Sequence, residues 1–144
     1  MRRMGIAALV VLGLALPDSL CAQSSLPLTT REVAGQWLLR VTSSQRSVPG
    51  LTVNDWSQAR SGLAFQVLER NGVLSCAVHA KPAQCKIDDG ELVVTTLQSG
   101  ATMVFTLSDR AGPAFAGSVR LRSGLLSFRS ILVGTVLMSR RRLD

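Results

Sequence analysis

The chain contains no tyrosine and only one histidine, His79, and aromatic residues make up 4% of its 144 positions. Nine carboxylates stand against sixteen Lys and Arg, for a formal net charge of +7. One histidine and few acids leave little room for acid–base or metal chemistry. No segment repeats at the period of a solenoid. The apolar content is ample, with 47% hydrophobic residues, and that excludes a disordered chain. The length fits one domain.

The first 22 residues have the order of a secretory leader. Arg2 and Arg3 form a charged start, an apolar run follows over residues 4–16, and Pro17-Asp18-Ser19 breaks it before a small residue, Ala22. The run is short of the ~20 apolar residues that span a bilayer as a helix. Cleavage after Ala22 is the expectation, with an uncleaved anchor or a lipid-modified Cys21 as alternatives. Residues 1–22 are thus read as signal peptide, 23–34 as an N-terminal extension and 35–144 as the domain. The expected location is periplasmic or extracellular.

Two cysteines then remain, Cys76 and Cys85. An even pair in an exported chain reads as a disulfide. A hairpin turning at Ala80-Lys81 sets Cys76 opposite Cys85, and directly opposed Cβ atoms lie ~4.5–5.5 Å apart, within bridging reach.

Along the mature chain the recurring signal is two-residue alternation between tight turns, which argues for strands. Trp37, Leu39 and Val41 alternate with Gln36, Arg40 and Thr42. Leu63, Phe65 and Val67 share a face, and Asn71-Gly72 follows as a hairpin turn. A strand over 73–79 and another over 84–88 lead to Asp89-Gly90. Residues 91–97 turn at Ser99-Gly100 into Met103, Phe105 and Leu107. A loop is expected over 109–113. Phe115, Val119 and Leu121 then point inward and Ser118, Arg120 and Arg122 outward. Strands over 125–129 and 132–140 finish the chain. The expected fold is all-β: a small antiparallel up-and-down barrel of eight or nine strands, with a β-sandwich as the alternative. A membrane-spanning barrel is disfavoured by the scarcity of aromatics.

One stretch, 43–62, has no strand pattern. Asn54 or Asp55 offers a cap for a short helix through Trp56 and Arg60 that ends at Gly62. Trp56 either plugs the core or lines a lid over a cavity.

The opening Gly35-Gln36-Trp37, the long loop after the first strand and the following antiparallel hairpins resemble the lipocalin and wider calycin barrels. That resemblance implies that Trp37 closes the barrel floor with a basic residue of the last strand, Arg140 or Arg141, packed over it. It also implies that the 43–62 loop overhangs a ligand mouth. A fainter likeness is to bacterial metalloprotease-inhibitor barrels, which also open with Gly-x-Trp and end in a basic residue, but whose cysteines are placed differently.

Two surfaces follow as functional candidates. An apolar ligand would meet Trp56, Phe65, Val67, Phe105, Phe115 and Val119. An anionic partner would meet an arginine wall of Arg120, Arg122 and Arg129. Each has a plain structural counterpart, because small barrels are also packed solid by such side chains and exposed strand faces are commonly charged. His79 has no acidic or cysteine pattern around it. Asp88, Asp89 and Glu91 form an acidic turn too small for a calcium loop. No catalytic residue, metal or cofactor is expected, and export together with the lack of stacking aromatics argues against nucleic acid. The expectation is a non-enzymatic binding barrel for a small apolar ligand. The alternative is an envelope protein-interaction or protease-inhibitor module that uses loops or the arginine wall.

Overall fold

The computed structural model describes residues 26–44, 58–98, 101–123 and 130–142. The leader, Cys21, Trp56, Arg129 and the strand expected over 125–129 lie outside the described residues. The first described element is one helical turn, α1 (Thr30–Val33). Eight strands follow: β1 (Gly35–Ser44), β2 (Leu63–Arg70), β3 (Val73–Val78), β4 (Lys81–Asp88), β5 (Glu91–Gln98), β6 (Ala101–Ala111), β7 (Ala114–Ser123) and β8 (Ser130–Arg140). Each pairs antiparallel with its sequence neighbour, and β1 pairs with β8, so the sheet closes into an up-and-down barrel. Closure leaves no free sheet edge, and the alternative of two stacked sheets does not occur.

The inward row of every strand supplies the core. Trp37, Leu39, Leu63, Phe65, Val67, Leu92, Val94, Phe105, Leu107, Val119 and Met138 are all essentially buried. Their alternation with polar neighbours is the period of two read in the sequence.

The turns explain where strands stop. Asn71 and Asp89 take positive φ ahead of Gly72 and Gly90, as two-residue hairpin turns require. The β3–β4 turn corrects the expected register. His79 and Ala80, with φ of 48° and 61°, form the turn, so Cys76 faces Ala83 and Val78 faces Lys81. The cause is Pro82. A residue before proline is pushed into the extended region, so Lys81 cannot take a left-handed turn position, and the turn moves back by one residue. Cys76 and Cys85 are therefore diagonal rather than directly opposed, and they are bridged with their Cα atoms 6.0 Å apart.

The loop expected over 109–113 is likewise shorter than the sequence implied. β6 runs on to Ala111, and only Gly112-Pro113 turns. A register shift between Leu107 and Asp109 lets the ladder continue. Gly117 faces this bulge so closely that a Cβ there would stand 1.8 Å from the Thr106 carbonyl oxygen. Gly134 sits against a second bulge, between Val41 and Ser43, and a Cβ there would be 1.8 Å from the Ser43 carbonyl oxygen. Bulges with facing glycines bend strands into the curvature that a small barrel needs.

Strand alternation defines two ends. The connections after β2, β4 and β6, the start of β1, the end of β8 and α1 lie at one, the floor. The connections after β1, β3, β5 and β7 lie at the other, the mouth. A helical turn over 58–61 leads into Gly62 at the mouth, where the Gly62 amide donates to the Gln58 carbonyl at 2.9 Å. The expected helix end at Gly62 is thus present, and its start lies outside the described residues.

Candidate functional site

The floor is built from the first described residues. Thr29 caps α1 in a reciprocal box with Glu32: the Thr29 amide and hydroxyl donate to the Glu32 carboxylate at 2.9 Å, and the Glu32 amide donates to the Thr29 hydroxyl at 3.4 Å. This places Val33 fully inside the core. Its carbonyl accepts the Trp37 indole N–H at 2.8 Å. The Arg140 guanidinium lies 4.0 Å from the centre of the Trp37 ring and donates to the Ala34 carbonyl at 3.1 Å. Arg140, not Arg141, is the residue over the indole; the Arg141 amide instead donates to the Gln36 carbonyl at 3.1 Å.

Gly35 admits this stack. It holds φ of +140°, and a Cβ there would be 2.1 Å from Arg140 Nη1. Leu28 is buried, its amide donating to Gly90 at 2.8 Å, and Arg110 ties the segment down through Glu32 at 2.8 Å and the Leu26 carbonyl. The Glu32 carboxyl is held below its ordinary range, first by the Arg110 hydrogen bond and then by the Thr29 backbone and side-chain bonds. Thr29-x-x-Glu32 is a capping-box spacing that the sequence carries, whereas the Arg110 link has no sequence signal.

The side chains expected to line a ligand cavity are packed together. Phe65, Val67, Phe105 and Val119 are at most 1% exposed and Phe115 7%, all within one continuous hydrophobic cluster. Trp37 and Phe115 stack at 5.4 Å between ring centroids. One groove lies on the outside of β6, β7 and β8, and another, at the mouth end of β4–β6, is lined by Ala83, Thr95, Thr96 and Leu97. The outer groove, about 720 Å³, crosses β6, β7 and β8 beside the two bulges, between Glu91 and Asp109 at the floor side and Arg120 above.

Arg120 and Arg122 do project outward from β7 and are exposed. Register places them in two parallel rows across four strands. Leu97, Thr102, Arg122 and Ser130 form one row, and Thr95, Val104, Arg120 and Leu132 the next. Leu97 is 71% exposed and Leu132 46%. Ile131 belongs to the inward row between them, with Thr96, Met103 and Leu121, yet is 48% exposed at the mouth. Alternation alone does not mark these three apolar residues, because the outward places of Leu97 and Leu132 and the rim place of Ile131 depend on register.

His79 stands at the mouth turn between β3 and β4, whereas Asp88, Asp89 and Glu91 surround the β4–β5 turn at the floor. The structure does not bring them together. Asp88 pairs with Lys86 at 2.5 Å, on the open surface. Among the described residues no three His, Cys, Asp or Glu side chains gather as a metal site, and no helix is long and apolar enough to cross a membrane. Compared with protein-family models, curated proteins and solved structures, the chain matches none, so what it does has to be argued from the barrel itself.

Proposed function

We propose that this chain is a non-enzymatic interaction module of the cell envelope, an exported barrel that acts by contact through its outer surface rather than by carrying a small apolar molecule. The observation that supports this is the mutual packing of the described side chains that face inward. The five described side chains that a ligand would need close on one another instead, with 0–7% exposure. A carrier of this size keeps a cavity inside its strands, while a packed barrel leaves only its surface for recognition. The arginine wall and the outer groove are the surfaces such a module would use. Export is supported by the leader pattern of residues 1–22 and by the Cys76–Cys85 bridge, which suits an oxidising compartment. The Gly35–Trp37–Arg140 floor supports a calycin-type plan at the level of architecture.

The test is native mass spectrometry of the protein purified from its own exporting cells. The expected spectrum is the bare mature chain beginning at Gln23. A stoichiometric small apolar adduct would overturn the packed-barrel reading and restore the carrier.

A further inference from the structure

We propose that the mouth half of the β5–β8 outer wall docks onto an anionic lipid bilayer. In this arrangement Arg120 and Arg122 take headgroup phosphates, and Leu97, Leu132 and the rim residue Ile131 enter the apolar boundary. The inference rests on the reading above that the barrel works through its outer surface.

Charge segregation carries it. The carboxylates of the described residues are Glu32, Glu69, Asp88, Asp89, Glu91 and Asp109, and every one lies toward the floor. Among the described residues the mouth half has none, yet it holds Arg60, Lys81, Arg120 and Arg122. Among the described residues Arg122 therefore has only cations on its half of the wall, and Arg120 stands at the upper end of the groove whose floor side carries Glu91 and Asp109, without an ion pair to either. The contact that Arg120 makes is with a neutral group, the Ser130 hydroxyl at 3.4 Å. By contrast, Arg110 at the floor is committed to Glu32. A guanidinium without a carboxylate partner is free to take phosphate in its two-pronged geometry.

The second observation is the apolar side chains beside these cations. Leu97 and Leu132 flank the arginines within the same two rows, and Ile131 stands at the rim of the same strands. Cations interleaved with protruding aliphatics are the composition of an interfacial membrane surface, where heads stay with phosphate and alkyl groups sink below it. The shape distinguishes a bilayer from an acidic protein. A barrel wall is convex and meets a flat, fluid surface along a strip with no complementary concavity, which a protein partner would have to supply.

The test is co-sedimentation of the protein with vesicles, its N-terminus first fixed by mass. Binding is expected to phosphatidylglycerol-containing vesicles, to weaken with salt, and to vanish on phosphatidylcholine alone. Each basic side chain near an anionic leaflet strengthens binding about fivefold, so Arg120→Glu with Arg122→Glu should weaken it by about thirty-fold or more. Leu97→Ser with Leu132→Ser should weaken it while the salt dependence remains. Arg70→Glu with Arg142→Glu, equal in charge but exposed at the floor, should leave binding intact.

All these side chains are exposed, and circular dichroism with thiol titration verifies folding; the single changes Arg120→Gln and Arg122→Gln serve if a double variant misfolds. No binding to anionic vesicles would overturn the proposal. So would equal loss in the floor variant, or capture of poly-glutamate by the wall while vesicles are ignored, which would assign the wall to an acidic protein. A failure of the surface reading itself would show separately, as an apolar adduct in the native mass spectrum.

Discussion

The Arg140 guanidinium stacks 4.0 Å from the centre of the Trp37 ring and reaches past it to the Ala34 carbonyl. One residue of the last strand thus clamps the first strand and the segment before it. A guanidinium over an indole contributes ~0.5–2 kcal/mol. Arg140→Ala should lower the urea midpoint by a corresponding amount, and Arg140→Lys should recover only part of it, because an ammonium lacks the planar stack. Trp37→Ala should cost more, about 3–5 kcal/mol, since it also empties the floor and orphans the Val33 carbonyl. An unchanged midpoint for Trp37→Ala would remove the residue from the core.

Gly35→Ala should act on the same clamp from the other side. A side chain at φ of +140° is strained, and its Cβ would fall 2.1 Å from Arg140 Nη1. The expected loss is about 1–3 kcal/mol. In a Trp56→Phe background the remaining indole reports directly, and its emission should shift as Arg140 is displaced. Emission and midpoint like those of the parent would mean that the stack tolerates the methyl group.

The bridge between Cys76 and Cys85 closes a short loop, with a sequence separation of 9. Loop-closure entropy for such a ring amounts to about 2–3 kcal/mol. Replacing both cysteines by serine should lower stability by that order while keeping the far-UV spectrum of a β-barrel. Thiol titration of the folded parent should find neither Cys76 nor Cys85 free; reactive thiols at both would refute the bridge.

The floor should loosen in acid. The Glu32 carboxyl is held below its ordinary value by Arg110 and Thr29. A depressed folded-state value means that its contribution is complete above the unfolded carboxyl range and disappears as pH falls through the lower folded value. Unfolding midpoints measured from neutral to acidic pH should fall across that interval, and Glu32→Gln should flatten this part of the profile. The pair is partly exposed, so the change should be small and should shrink further in salt. Identical profiles for parent and variant would show that the ion pair is idle.

Most of the barrel was legible because its strands alternate cleanly and its hairpins carry Asn-Gly and Asp-Gly, whose positive φ fixes each turn in place. The inward rows followed from that alternation, the cysteine partners from an even pair on one hairpin, and the floor place of Trp37 from the resemblance carried by Gly35-Gln36-Trp37. The diagonal bridge did not, because its register depends on what Pro82 forbids at Lys81, a restriction that outweighs the look of the turn itself. The bulges were hidden for a different reason. Gly117 and Gly134 reveal their purpose only when the opposing backbone is in place 1.8 Å from a would-be Cβ. The candidate site was less legible still. Arg120 and Arg122 were visible as an outward pair, but the separation of acids from bases emerges only after eight strand directions are laid side by side.

The ladder that joins β1 to β8 pairs Trp37 with Arg140, residues from the two ends of the barrel sequence. During synthesis, β1 emerges first and waits for its second neighbour until the last strand has arrived. Until then two unpaired edges, on β1 and on the growing tip, are exposed to other chains. Ring closure is thus a late event that searches over the longest loop in the molecule, and contacts of that range make folding slow. A chain cut short before β8 would be left as an open, adhesive sheet rather than a smaller barrel.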